Sequence, residues 1–366
     1  MVNVKETSVK TDRNYQLDFL KLLCTLFVFI SHTYRFIGEN TRFSIPLGLG
    51  WWSVHLFFII SGLLMVNSYM KKPQSTDYGK TAMRFVIGKF KGLAIEYWVA
   101  FSIGFVVFLI LYKLNVFESL VKSIPEILAI ELSGLCGTDP SMINGQTWYI
   151  SAMLICMLPL YYMLQKNKDF FLYVFSPLTA LILLGYMYCE ESHWLTWYNT
   201  YSFLTGGIIR GICGLCFGVV CWTIAEKILS CKHTDSQRWF FTVVEILLYL
   251  LIFAICFYPQ NNYSMIYCAM LIMPVPIAIT FSGVSYVGKL FRFSWMKWLS
   301  SISLAIYLNH IAAKCIVQSL FTDKSYKFCT LLMFVFTICL CVVYYLLIWV
   351  IKNLWNKKIK SFFIAE

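Results

Sequence analysis

Ten stretches of roughly twenty largely apolar residues punctuate the chain, at about 17–37, 51–70, 93–113, 147–165, 170–189, 202–224, 239–258, 263–282, 297–320 and 328–351. A helix rising about 1.5 Å per residue needs that length to cross a hydrocarbon core about 30 Å thick. Each stretch is therefore a predicted spanning helix. The segment 114–146 is the longest polar connection on its side and carries Glu118, Glu126, Glu131 and Asp139. Within it, Ile127–Leu132 is apolar but too short to span, and an interfacial or re-entrant piece is expected there. No repeat of fixed period interrupts the pattern. The expected fold class is all-α, a polytopic membrane protein of about ten transmembrane helices forming a single domain over 1–366.

Composition agrees with this reading and narrows it. Of the 366 residues, 59% are hydrophobic and only 13% charged, against about 25% charged in ordinary soluble domains; the mean hydropathy is +0.70. The formal charge of +12 is explained by loop asymmetry, so nucleic acid is not an expected partner. Loops on the side of the N-terminus hold 21 of the 30 Lys and Arg residues, and the opposite side holds seven, Arg35 and Arg42 among them. By the positive-inside rule both termini are expected in the cytoplasm, residues 1–16 as a cytoplasmic N-terminus and 352–366 as a basic tail on anionic lipid. Met1–Asn14 is polar and no small-residue cleavage site follows, so no signal peptide is expected. Most of the 14 cysteines sit in apolar runs, as Cys24, Cys156, Cys256 and Cys339 do, where they act as small hydrophobes. Cys213-x-x-Cys216 lies in a Gly-rich span and is a weak redox candidate.

Candidate chemistry comes from polar residues placed where they are costly. On helix 1, Asp18, Lys21, Thr25, His32 and Arg35 share one face at 3.6 residues per turn. His32 stands about 16 Å beyond Lys21 along the axis, and an imidazole suits general-base work near neutral pH. The plainer alternative is a histidine bonded between packed helices. The second span opens Trp51-Trp52-Ser53-Val54-His55 and contains Ser61-Gly62 as a close-packing notch. Lys80, Arg84, Lys89 and Lys91 precede the third span, with Glu96 following; that density of cations suits a phosphate-bearing ligand as well as it suits orientation and lipid headgroups. Gln146-Thr147-Trp148-Tyr149-Ile150-Ser151 opens the fourth span with aromatics fit for an interface belt or for stacking on a sugar. Ser303, Tyr307, His310 and Lys314 fall on one face of the ninth. Gly207-x-x-x-Gly211 and Gly214-x-x-x-Gly218 allow close helix approach. Arg210, between them, needs a counter-charge: Glu245, Asp18 or a bound anion.

Taken together, these motifs resemble the acyltransferase-3 family of integral membrane acyltransferases. Arg13, Leu17, Asp18, Leu20, Lys21 and His32 resemble its first-helix signature, and Phe57-Phe58-Ile59-Ile60-Ser61-Gly62 its second helix. Trp148-Tyr149-Ile150-Ser151 and the run Ile302 to His310 resemble two further segments, in the family's order. The resemblance implies transfer of an acyl group, usually acetyl, from cytoplasmic acyl-coenzyme A to a hydroxyl on an extracytoplasmic glycan or lipid-linked sugar, in a bacterial cytoplasmic membrane. It implies that His32 is the essential histidine, as general base or acyl relay, and no metal is expected. The coenzyme's phosphates are expected at Arg13, Lys21, Arg84, Lys89 and Lys91, with Asp18, Ser61 and Gly62 supporting. Trp148, Tyr149, Ser151, Tyr307 and His310 are expected on the acceptor side. The departures are Lys21, where arginine is common; Lys89-Phe90-Lys91-Gly92, which lacks the family's second arginine and proline; and Leu304 for tyrosine. A succinyl donor, or a transporter or flippase using the same polar path, is the competing expectation.

Overall fold

The structure is a computed structural model that describes residues 13–33, 48–72, 76–133, 143–190, 196–257, 263–321 and 323–364; Arg35, Arg42 and Asp139 lie outside them. The Asn14 side chain accepts from Leu17 N at 3.1 Å and starts α1, Tyr15–Thr33, which carries Asp18 in its first turn and His32 in its last. Helix α2 follows at Gly48–Met70. Next comes α3, Tyr78–Lys91, started by Asp77 accepting from Lys80 N and burying Ala82 and Phe85 on one face. The remaining helices are α4 (Ala94–Tyr112), α5 (Val116–Lys122), α6 (Ile124–Ile127), α7 (Trp148–Lys166), α8 (Lys168–Phe170) and α9 (Ser176–Cys189). After a two-residue hairpin, Thr200–Tyr201 with Leu204–Thr205, come α10 (Gly206–Ser230), α11 (Asp235–Phe257), α12 (Tyr263–Ile272), α13 (Pro274–Ser282), α14 (Leu299–Leu320) and α15 (Tyr326–Ile364).

Ten helical segments among the described residues are long and apolar enough to cross a membrane, so this is an all-α polytopic membrane protein. The span expected at 263–282 is broken between α12 and α13, where Pro274 has no N–H to donate. The basic tail continues α15 as helix to Ile364.

Helix α10 is the axle of the bundle. It packs on α2, α7, α9 and α13, and 78% of its span is enclosed against 22% for α11 at the periphery. Its seam with α2 depends on glycine: a Cβ on Gly218 would stand 2.2 Å from Ile59 O, and one on Gly62 2.2 Å from Leu215 O. The small residues therefore let the two backbones touch, as their spacing predicts.

Two further features position the interior polar groups. First, the 113–146 connection folds back along α4. Tyr97 Oη, in the first turn of α4, donates to Glu126 O, and Trp98 Nε1 donates to Ile127 O at 2.9 Å. Residues 116–127 therefore return most of the length of α4, and Ile127–Leu132 is part of a re-entrant segment with a left-handed turn at Ala129 (φ 53°). Second, α1 and α14 pack together. Thr25 and Ser303 share a hydrogen bond of 2.8 Å, and seven residues further on both helices the rings of His32 and His310 adjoin, with centroids 5.0 Å apart and planes tilted by 45°. Equal advance in the same direction means a parallel seam with a seven-residue repeat.

Candidate functional site

One end of the site is a cluster of cations around α1 and α3. Asp18 is buried and accepts from two of them, Arg13 Nε at 2.6 Å and Lys21 Nζ at 3.4 Å. Phe85 anchors α3, and the Nζ atoms of Lys72 and Lys89 each lie 5.4 Å from its ring. Burial, and then the neighbouring Lys21 and Lys72, hold the Lys89 ammonium below its usual range. Lys21, Lys72 and Lys89 thus converge, with Asp18 as counter-charge. The amphipathic geometry of α3 turns Lys89 inward, one turn from Phe85, and leaves Arg84 and Lys91 on the exposed face. Of the five cations expected to bind phosphate, Arg13, Lys21 and Lys89 share this cluster and Arg84 and Lys91 stand apart. Lys72 was not anticipated; its signal is its position one helix-end before α3.

The other end is built on the α1–α14 seam. His310 Nδ1 lies 2.8 Å from Tyr307 O and 3.2 Å from Ile306 O. A carbonyl only accepts, so Nδ1 carries the proton and Nε2 keeps its lone pair. Nε2 is buried and, among the described residues, has no hydrogen-bond partner. His32, half-buried, faces this ring.

Between the ends, the start of α7 and the re-entrant segment bring polar side chains into the middle of the bundle. Tyr307 Oη donates to Gln146 O at 2.5 Å, and Gln146 Nε2 donates to Leu308 O at 2.8 Å, tying α14 to the residues before α7. Ser61 Oγ is 2.7 Å from Tyr149 Oη, which also donates to Phe57 O. Ser61 therefore orients Tyr149, while Gly62 sets the α2–α10 distance. Ser151 Oγ accepts from Leu132 N and pins the re-entrant segment. Trp148 stacks on Trp197 (6.1 Å, 6°) and lies under the Arg210 guanidinium at 4.7 Å, so its rings are engaged by protein.

Two acidic residues of the re-entrant segment are buried beside this region. Glu126 accepts from Asn144 N at 2.7 Å and Ile143 N at 3.2 Å, yet burial outweighs these bonds and raises its carboxyl to about 7. Burial also holds Glu131 well above the usual carboxylate range, and the Glu126 charge adds to the effect. Thr147 Oγ1 donates to Asn144 O and Ser151 Oγ accepts from Leu132 N; both hydroxyls lie beside Glu131 and moderate the effect, and among the described residues neither carboxyl oxygen has a hydrogen bond of good geometry. Gln146 Oε1, Asn144 Nδ2, Asn309 Oδ1 and both ring nitrogens of His55 are likewise buried without partners among the described residues. Buried polar atoms are ordinarily satisfied, so this concentration marks an interior built to hold polar guests. No cluster of three or more metal-ligating side chains occurs among the described residues.

A family model for an acyltransferase domain matches residues 14–364. The chain belongs to the acyltransferase-3 family. Neither the curated proteins nor the solved structures provide a match to it. This membrane acyltransferase therefore carries its family's enzymatic activity on a ten-span bundle, and its interior polar groups have acyl transfer as their context. Sequence reasoning had grouped His310 with the acceptor side and His32 with the chemistry; in the acyltransferase the two rings adjoin. It overlooked Glu131, Asn144 and Asn309 as buried polar groups. Glutamates in a connecting segment look solvated in sequence, and only the fold-back along α4 buries them.

Proposed function

We propose that this acyltransferase moves an acetyl group from cytoplasmic acetyl-coenzyme A to a hydroxyl of a cell-surface or lipid-linked glycan on the other side of the membrane. The observation that carries the reading is the arrangement along α1: cations gathered at its Asp18 end and an imidazole pair at its His32 end, on one helix face. Arg13, Lys21, Lys72 and Lys89 would take the coenzyme's phosphates, a polyanion that the single Asp18 leaves room for. The span from Lys21 to His32, about 16 Å, is of the order of an extended pantetheine arm.

The chemistry follows from His32. Its imidazole takes the proton from the acceptor hydroxyl as that oxygen attacks the thioester carbonyl carbon. The tetrahedral intermediate collapses with cleavage of the C–S bond, and the imidazolium returns the proton to the departing thiolate. In the relay variant, a His32 ring nitrogen attacks the thioester carbonyl, the C–S bond breaks and the imidazole proton leaves with the thiolate; the acceptor hydroxyl then attacks the acyl-imidazole, the N–C bond breaks and the hydroxyl proton returns to the imidazole. His310, whose Nδ1 proton is held by the Tyr307 carbonyl, has its ring fixed against that of His32 and orients it. Asp18 lies about 21 Å from His32 along the helix and acts only on the cations.

The test is transfer of labelled acetyl from acetyl-coenzyme A to surface glycan in membranes carrying His32→Ala. Transfer is expected to vanish while the folded protein remains at normal abundance; full transfer would remove His32 from the mechanism. Flux of glycan across vesicles without consumption of acetyl-coenzyme A would favour a transporter instead.

A further inference from the structure

Arg210 lies in the second turn of α10, in the enclosed centre of the bundle, and is only 4% exposed. Its guanidinium is held over the rings of Trp51 and Trp148, 4.8 and 4.7 Å from their centroids. Both carboxylates that sequence offered as partners are spoken for. Asp18 pairs with Arg13 and Lys21. Glu245 accepts from Gln16 Nε2 at 2.7 Å and from the hydroxyls of Thr280 and Ser285. Among the described residues no ion pair and no hydrogen bond includes Arg210, and the titratable groups within its electrostatic reach are His55, Tyr201, Tyr267 and Tyr307. Stacking engages the faces of a guanidinium and leaves its five N–H groups, which lie in its plane, free to donate. An uncompensated buried charge costs several kcal/mol by general experience, and a bundle that satisfies Asp18 and Glu245 so fully would not be expected to tolerate one without use.

We propose that Arg210 is the receptor for a single carboxylate carried by the substrate. This rests on the acyltransferase reading above and names the chemistry of what that site accepts. One isolated positive charge is balanced by one negative charge, which fits a carboxylate and not the multiply charged phosphates suited to the Lys21–Lys72–Lys89 cluster; the fork geometry fits two parallel N–H···O bonds. The position agrees. Ser31, next to His32, packs directly against Gly50, next to Trp51, so Arg210 and His32 flank the same end of α2. Tyr307 links them, with its ring 6.1 Å from that of His310 and its hydroxyl within electrostatic reach of Arg210. His55 faces the same side of α10: its Nδ1 lies 3.4 Å from where a Cβ on Gly214 would stand, one turn along α10 from Arg210. The carboxylate has two chemical sources. It belongs to an acidic acceptor sugar, whose hydroxyl then reaches His32, or to the far end of a dicarboxylic acyl group such as succinyl.

Purified full-length protein distinguishes these. Binding is read by tryptophan fluorescence and thermal shift for glucuronate against glucose, for N-acetylneuraminate against its methyl ester, and for succinyl-coenzyme A against acetyl-coenzyme A. At least one carboxylate is expected to bind about tenfold or more tightly than its uncharged counterpart, the worth of a charge-assisted bond. Arg210→Gln is expected to abolish that preference and Arg210→Lys to keep part of it. A preference among the sugars assigns the carboxylate to the acceptor, and one among the coenzyme thioesters to the donor. No preference in the unaltered protein, or a preference undiminished in Arg210→Gln, overturns the proposal, and the first result needs no variant to fold. Acetyl-coenzyme A is measured in the same preparation: if it fails to bind or be consumed, the acyltransferase mechanism fails irrespective of Arg210, and if it succeeds without any carboxylate preference, only this inference falls.

Discussion

The parallel seam between α1 and α14 makes a quantitative prediction, because it is pinned by one hydrogen bond between two buried hydroxyls, Thr25 and Ser303, 1% and 6% exposed and 2.8 Å apart. Thr25→Val removes one hydroxyl and strands Ser303; Ser303→Ala strands Thr25. Each single change is expected to cost about 1–3 kcal/mol, since an unsatisfied buried group pays its full desolvation penalty. The cost at Ser303→Ala should fall toward the lower value, because a threonine in a helix can turn to the carbonyl one turn back. The double variant leaves no stranded group and loses only the net value of one bond, about 0.5–1.5 kcal/mol. The two substitutions should therefore be non-additive by at least about 0.5 kcal/mol, and cycles between membrane helices, which average about 0.6 and reach about 1.7 kcal/mol, place the expected value at that low end. Unfolding in mild detergent across the four proteins measures the cycle, and acyl-transfer assays on the same preparations report whether the seam stays in register. Additivity within about 0.3 kcal/mol would refute the reasoning. It would also remove the basis for placing His32 against His310, since both contacts belong to one seven-residue repeat.

Three further outcomes follow. Gly218→Ala inserts a methyl group 2.2 Å from Ile59 O; it should drive α10 from α2 and reduce the yield of monodisperse protein several-fold, where the same change at Gly185, which has open space around it, should not. Charge reversal at Lys89 should abolish thermal stabilisation by acetyl-coenzyme A, and reversal at Arg84, exposed on the far side of α3, should leave most of it; equal effects would mean that the inward cluster is not the binding site. Because the folded protein keeps Glu126 protonated up to about 7 and an ordinary glutamate ionises near 4.5, its contribution is fully present below pH 4.5 and is lost as pH rises through 7, by up to roughly 3 kcal/mol. Melting temperature should fall across that interval, and Glu126→Gln should flatten the profile.

The spans were legible because length and apolarity are local properties; most helix ends moved by only a few residues, and the exception is α15, which runs 13 residues past the expected 351, to Ile364, because its basic tail stays helical. Helix α3 escaped that test because it is short and amphipathic. Its signals were nonetheless present: Asp77 as a cap, and Ala82, Phe85 and Lys89 at helical spacing. The two polar faces on α1 and α14 were each readable, and so was their sevenfold spacing. Their pairing was not, since it joins residues 278 apart in sequence. The fold-back of 116–127 was readable only as a length anomaly. Its depth is set by Tyr97 and Trp98, whose ring donors are carried by an apolar span and find their acceptors in the carbonyls of Glu126 and Ile127.

The distribution of satisfied and unsatisfied polar groups separates support from site more sharply than residue type does. Glu245 takes three hydrogen bonds from side chains of other segments, Asp18 pairs with two cations, and Thr25 with Ser303. Glu245 and the Thr25–Ser303 pair hold helices together, Asp18 holds the cations at its own end of α1, and each is fully engaged by protein. Among the described residues, Glu131, Asn309, Gln146, His55 and His310 each keep a buried polar atom with no hydrogen bond, and no hydrogen bond includes the Arg210 guanidinium, which lies over Trp51 and Trp148. They come from five separate elements, the re-entrant segment, α2, α10, α14 and the residues before α7. A folding accident would strand one such atom at one misfit. Stranding them on five elements at once, around the line from His32 through Tyr307 to Arg210, is the pattern of an interior whose missing partners arrive with the substrate.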